Sequence, residues 1–367
     1  MAKYVFNLRY PCDVNNEFMK KVLIVGSAEQ SGGGVATVIR LMKKMPFWKK
    51  YRCYWLGTQI QRNYAWKLWY AVKGNVSGVV RMPRYDIVHF HTVPDLNCMI
   101  IQLPLFLWAR ILGKRTVMHV HVGNQLEEHQ NDRFFIWWLR HTDRIVLLAE
   151  KWRNLFEECY VKRNPDISFP KRKVIYNACE SVERVDMSGK EKVIVMAAYF
   201  CENKAPDVLL KAWKMICRDY HDWRVVMMGN GEVERYRAMA VEMGVADSVI
   251  FTGYIRGLER ETLLRKAAIY CMCSYREGFP MVVLEAWMYG ICVVTTPVGG
   301  LPDVIEEGRN CLTFGFGNHE GLAHNLRLLM DDESQRKEMA VYSRRFVEQR
   351  FGTEEINERF EELYDSL

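Results

Sequence analysis

Two glutamates eight residues apart, Glu277 and Glu285, bracket the run EGFPMVVLE, which passes from a loop into a helix. Pro280 suits the first helical position, where its missing N–H costs nothing. Amides at a helix start are unpaired and the helix dipole adds positive potential, so a phosphate is favoured there. A nearby carboxylate can accept both hydroxyls of a ribose, as the acidic residue does in dinucleotide-binding folds. Phosphate and ribose together describe a nucleotide. Taken alone, the pair also fits a plainer arrangement, with Glu277 stabilising a helix N-terminus and Glu285 lying on the surface.

Two further groups carry chemistry-bearing residues. Gly32, Gly33 and Gly34 follow the first apolar run and open a helix, as anion-binding loops do, although a tight packing turn would use the same residues. They do not form a Gly-x-Gly-x-x-Gly fingerprint, and the second strand (YRCYWLG) ends without the acidic residue that a nicotinamide site needs. A dehydrogenase is therefore disfavoured. The pairs His89/His91 and His119/His121 each end a strand, and residues i and i+2 of a strand share a face. Four imidazoles on one face invite a metal, but no Cys or carboxylate completes a close ligand set, so buried, hydrogen-bonded histidines are the expectation and no metal is assigned.

Positioning these groups requires strands that end at the same edge. Short apolar runs near 21–26, 51–57, 86–92, 115–122, 144–149 and 172–177 alternate with amphipathic stretches, and a second series follows near 192–200, 223–229, 248–253, 269–275, 292–296 and 311–314. Strands alternating with helices imply parallel sheets covered on both faces. At 367 residues the chain exceeds what one hydrophobic core supports. The expectation is an α/β protein of two doubly wound domains, residues 1–180 and 181–350, with a junction in the polar stretch 177–192. A closing amphipathic helix (351–367), with Ile356, Phe360, Leu363 and Tyr364 on one stripe, should pack back on the first domain. Residues 1–18 read as an extension or a misassigned start.

The charge is unevenly spread. Residues 1–185 hold 29 Lys and Arg against 15 Asp and Glu (+14), and the remainder 22 against 29 (−7), which sum to the net +7. The first half should therefore meet something anionic. Lys43, Lys44, Lys49 and Lys50 around Phe47 and Trp48, then Arg62, Lys67 and Lys73 among Tyr64, Trp66, Trp69 and Tyr70, suit peripheral contact with an anionic membrane. A basic face over a packed aromatic core is the alternative. Nucleic acid is not an expected partner, since no recognition module accompanies the basic half. The stretch 98–112 is too short and too interrupted to span a bilayer. Eleven scattered cysteines without a signal pattern suggest reduced thiols and a cytoplasmic location, with the membrane's cytoplasmic face as the possible working surface.

Residues 274–308 (SYREGFPMVVLEAWMYGICVVTTPVGGLPDVIEEG) resemble, almost position for position, the donor-binding segment of the retaining GT-B glycosyltransferases of family 4, the glycosyl transferases group 1. The resemblance extends through Gly229-Asn-Gly231, Val249-Ile-Phe-Thr-Gly253, Lys204 in ENKAPDVLLKAW and Ser31-Gly-Gly-Gly-Val35. It covers the second domain densely and the first thinly. It implies a GT-B fold, with two Rossmann-like domains facing across a cleft, and metal-independent transfer from a nucleotide-sugar. The family's commonest donor base is uridine diphosphate, and no cofactor beyond the donor is implied. A saccharide or lipid-linked saccharide in polysaccharide or glycoconjugate synthesis is the implied acceptor.

Residue by residue, the resemblance places Glu285 on the donor ribose and Glu277 against the transferred sugar, with the amides around Gly278 and Phe279 facing sugar and diphosphate. Lys204 falls on the diphosphate, His121 on the donor sugar, and Gly229, Tyr254 and Ile255 flank the base. Gly33 and Gly34 belong to the loop on the opposite side. One position departs from the family: Tyr199 stands where an arginine is usual, so the diphosphate loses a bidentate cation. The alternatives are a weak or silent sugar-nucleotide-binding subunit and a GT-B-fold epimerase. A phosphorylase would need a cofactor lysine or a second phosphate site, and the sequence points to neither.

Overall fold

The computed structural model describes residues 19–121, 123, 125–187 and 189–367. The leading segment read above as an extension lies outside them.

Among the described residues twelve strands form two six-stranded sheets in which every pairing is parallel. The first holds β1 (Val22–Ser27), β2 (Tyr54–Gln59), β3 (Ile87–Thr92), β4 (Arg115–Val120), β5 (Arg144–Leu147) and β6 (Lys171–Val174) in the order β2-β1-β3-β4-β5-β6. The second holds β7 (Glu191–Ala197), β8 (Arg224–Met228), β9 (Val249–Gly253), β10 (Ala267–Met272), β11 (Cys292–Thr295) and β12 (Cys311–Thr313) in the order β12-β11-β10-β7-β8-β9. Central strands such as β3 and β10 are buried along their whole length, as a sheet covered on both faces demands. The first domain carries α1 (Gly34–Met42), α2 (Pro46–Lys50), α3 (Tyr64–Arg81), α4 (Leu96–Ile111), α5 (Gln125–Glu128), α6 (Arg133–Arg140) and α7 (Glu150–Phe156). The second carries α8 (Pro206–Ile216), α9 (Val233–Glu242), α10 (Gly257–Lys266), α11 (Met281–Met288), α12 (His319–Asp331) and α13 (Glu333–Phe351). The last helix, α14 (Thr353–Asp365), turns off α13 at Gly352 and lies on the first domain. Phe360 meets Phe47 at 5.0 Å between ring centroids, and the Tyr364 hydroxyl reaches His89 Nδ1 at 2.7 Å.

Three details differ from the sequence reading. β2 begins at Tyr54, because Tyr51 still caps α2 and Arg52 turns the chain at φ 44°. β7 stops at Ala197 instead of running to Phe200, whose N–H is already committed to Asn230 O at 2.6 Å beyond the end of β8. The third concerns the lysines around Phe47 and Trp48. Phe47 is fully buried, Lys43 pairs with Glu29 and Lys44 with Glu180 at 2.8 and 2.6 Å, and Lys50 pairs with Glu361. That cluster is a basic rim over an aromatic core that α14 completes, with Trp48 partly buried against it.

Candidate functional site

In the second sheet the strand order reverses between β7 and β10, since β8 and β9 lie on one side and β11 and β12 on the other. Open parallel sheets bind ligands beyond the carboxyl ends of strands at such a reversal. The chain emerging from β7 brings Tyr199 and Lys204, and the chain emerging from β10 brings Glu277, Gly278 and Phe279.

These segments are stapled together. Asn203, in a single 3-10 turn (Glu202–Lys204), accepts the Tyr275 N–H at 2.9 Å and donates its side-chain amide to Arg276 O at 3.0 Å. The next residue, Lys204, forms an ion pair with Glu277, the two side chains 25% and 15% exposed. Gly278 O accepts the Gly300 N–H at 2.8 Å and the Trp152 indole N–H at 3.1 Å, and Phe279 O accepts the Asn177 amide at 2.9 Å. With both carbonyls tied inward, the Gly278 and Phe279 amides have no acceptor among the described residues. The Phe279 ring packs between Tyr176 and Phe351 at 5.1 and 5.6 Å, so its contribution to a ligand is its backbone. A Cβ on Gly299, which sits at φ 65°, would stand 2.6 Å from Gly278 O, so this glycine lets the loop lie flat. Pro280 caps α11 with extended backbone (φ −75°, ψ 109°) and Met281 is the first helical residue, one position later than the sequence suggested.

Glu285, one turn into α11, gives both carboxylate oxygens to the guanidinium of Arg260 on α10. Burial works against the Arg260 charge, and the Glu285 carboxylate more than offsets it, so the guanidinium pKa is raised. A ribose diol would compete for the same oxygens. Arg260 was missed because it stands in a helix dense with Glu and Arg, a pattern that reads as a solvated face. Gly229 adopts φ 147° and donates its N–H to Gly253 O at 2.8 Å, drawing the ends of β8 and β9 together. Tyr254 is exposed with Arg256 over its ring at 4.9 Å, whereas the Ile255 side chain is buried in the core. Tyr199 is exposed.

Across the cleft, β3 and β4 pair His91 with His119, which puts four imidazoles on one face. Their rings stack at 4.5 to 5.4 Å, with His91 Nδ1 and His121 Nε2 2.8 Å apart. One ring nitrogen from each of His89, His91 and His119 lies within 4.8 Å of the other two, and both nitrogens of His119 are unpartnered, so the described residues do include a group spaced for a metal ion. Beyond His121, Gly123 lies against Trp152, whose indole holds Gly278 O, and Glu128 meets Arg276 at 2.9 Å. The end of β4 therefore faces the Glu277 loop. Gly33 and Gly34 stay on the first-domain rim. The loop before them is held by Arg40 on Ser31 O at 3.1 Å, and Gln61 packs against Gly33. No hydrogen bond or ion pair links these glycines to the second domain among the described residues.

Burial drives all four histidines toward the neutral form, and His121 is pushed down to about 3. The sign follows from linkage: below about pH 6.5 the unfolded chain binds a proton that the folded chain refuses, so stability falls as pH drops toward 3. His121 alone should remove about 2 kcal/mol between pH 6.5 and 5. Denaturant titrations at the two pH values would show it, and a His121→Phe variant should lose that part of the slope. An unchanged slope would contradict the burial argument.

Residues 180–346 match the family described as Glycosyl transferases group 1. An uncharacterized glycosyltransferase of Haemophilus influenzae is 27% identical over 226 residues, 59% of this chain and 60% of that protein. A Campylobacter jejuni α-1,4-N-acetyl-D-galactosaminyltransferase, named for an undecaprenyl-diphosphate-linked saccharide, is 26% identical over 225 residues, 58% of this chain and 60% of that one. The alignments thus span about three-fifths of these relatives' length. Among solved structures, Anabaena HepE in complex with UDP-glucose superposes with a TM-score of 0.75 at 17% identity, covering 95% of this chain and all of the other. The fold is GT-B: two parallel-sheet, Rossmann-like α/β domains.

Proposed function

We propose that this chain, whose second domain is a glycosyl transferases group 1 domain, is a retaining, metal-independent glycosyltransferase of family 4. It takes a UDP-linked sugar as donor and a saccharide or lipid-linked saccharide as acceptor, in the making of a polysaccharide or glycoconjugate. The observation that carries this reading is the Lys204–Glu277 pair beside the unpartnered Gly278 and Phe279 amides, at the reversal of the second sheet.

In this reading the amides and Lys204 meet the diphosphate, and Glu277 meets hydroxyls of the transferred sugar. Glu285 exchanges Arg260 for the ribose, and Gly229, Tyr254 and the Ile255 backbone frame the base. His121 faces the sugar as a neutral imidazole. The bond from the anomeric carbon to the diphosphate breaks while the acceptor oxygen bonds the same face of that carbon. The acceptor's proton passes to the departing diphosphate oxygen. The protein supplies position and charge stabilisation where the leaving group becomes negative.

UDP release from a panel of UDP-sugars, with and without an acceptor mixture, tests the proposal. Release should be unchanged by EDTA. Loss with EDTA and recovery with a divalent ion would transfer the argument to the buried histidines. Tyr199, at the position of the usual arginine, supports the second reading of a weak or silent subunit, for which the donor would bind without UDP release. Donor interconversion without release would indicate an epimerase.

A further inference from the structure

Helix α3 is packed inside out. The only residues it buries are Gly74 and Gly78, while Trp66, Leu68, Trp69, Val72, Val76 and Val80 face solvent. An ordinary surface helix turns its apolar stripe to the core. Here the glycines let the helix approach the sheet and its neighbour so closely that a Cβ on Gly74 would stand 2.8 Å from Gly57 O, and one on Gly78 2.5 Å from Leu105 of α4. These outward aromatic and branched residues are 43–63% exposed, so much of their surface is left to solvent. Helix α4 runs alongside, joined through Asn75 Nδ2 to Ile101 O at 3.0 Å and the Trp108 indole to Val79 O at 3.2 Å. It extends the same face with exposed Ile100, Leu107 and Ile111. Contiguous apolar surface of this kind marks an interaction site.

Charge selects the occupant. Between Glu29 and Asp86 the chain has eleven Lys and Arg and no Asp or Glu. Of these, Arg62, Lys67, Lys73, Arg81 and Arg84 lie on or beside α3, and none has a carboxylate partner among the described residues. A second copy of this face would bring the same cations against themselves. Residues 1–18, with two cations and two carboxylates, carry no complementary charge. We infer that the α3–α4 face docks on an anionic lipid surface, tryptophans in the headgroup layer and cations against phosphate. The contact inferred is peripheral, made by the outer faces of α3 and α4; no helix of the described residues is long and apolar enough to cross a membrane. Helix α3 starts beside the glycine loop, with Gln61 against Gly33 and the Tyr70 hydroxyl 3.3 Å from Gln30 Oε1, so a docked face sets the cleft's first-domain rim at the lipid surface.

The test is co-sedimentation of the full chain with phosphatidylcholine vesicles and with phosphatidylcholine–phosphatidylglycerol vesicles. Binding should require the anionic lipid and weaken as salt shortens the Debye length. The variant Trp66→Glu/Trp69→Glu/Val76→Glu should bind at least about tenfold less, because it removes inserted apolar surface and adds charge of the wrong sign. Val241→Glu, on the exposed face of α9, should bind like the parent. Because the three changed positions face solvent, the triple variant should melt with the parent, which separates lost docking from lost folding. Equal recovery on neutral and anionic vesicles, no recovery on either, or parent-like binding by the triple variant overturns the inference. So does a dimer in sedimentation velocity that the triple variant dissolves, which would assign the face to a second copy. The readout is binding alone, so its outcome is separate from that of the transfer reaction.

Discussion

Lys204→Ala should lower kcat/KM for sugar transfer by about 100-fold or more, the scale seen when one preorganised donor is removed from a developing negative charge. The lysine emerges from a 3-10 turn pinned to the Glu277 loop through Asn203, so its ammonium is held in place before any donor arrives. Its removal also leaves Glu277, only 15% exposed, without its cation. The loss should therefore appear in kcat as well as in donor affinity. Steady-state UDP release and donor titration by calorimetry, beside a melting curve, separate these effects. Kinetics within about threefold of the parent would displace Lys204 from the leaving group.

Gly229→Ala should cost about 4 kcal/mol of stability, or leave the second domain unable to fold. At φ 147° an alanine is strained whatever the space. The space is also taken, because its Cβ would stand 1.7 Å from Ala198 O and 2.9 Å from Ala198 C, both backbone atoms. The ends of β7 and β8 would have to part. Tyr199 follows directly and Lys204 shortly after, so a variant that folds should also lose donor binding. Gly244→Ala, also at positive φ but with nothing within 4 Å, isolates the backbone strain and should cost only about 1 kcal/mol. Equal melting temperatures for the two would refute the steric account.

Much of the architecture was legible because parallel strands buried on both faces announce themselves. Runs such as IVHFHT and AAIYCM are short and apolar enough for strands buried on both faces, and their alternation with helical stretches points to crossovers and parallel pairing. The segment around Glu277 was legible for a related reason: glycines, a proline and two carboxylates at one loop-to-helix passage make a local pattern that needs no partner to be recognised. Strand ends were less so. Whether β7 stopped at Ala197 or ran to Phe200 depended on Asn230, some thirty residues away.

Partners and exposure belonged to the tertiary structure. Composition alone located eleven cations and several aromatics between Glu29 and Asp86, but a charge count cannot tell a lysine facing Glu29 or Glu361 from one facing solvent. Nor can it tell buried Phe47 from exposed Trp69. The sequence placed the basic-aromatic surface both at Phe47 and Trp48 and along Tyr64 to Lys73; the folded chain covers the first place with α14 and leaves the second, on α3, exposed, because only two glycines of α3 are buried. Arg260 on Glu285, Trp152 on Gly278 and the stacked histidines likewise arise from residues far apart in the chain. Short-range patterns determine which elements form and which residue types stand at their ends. Which side chains meet, and which remain for a ligand or a lipid, depends on distances that exist only once both sheets are assembled.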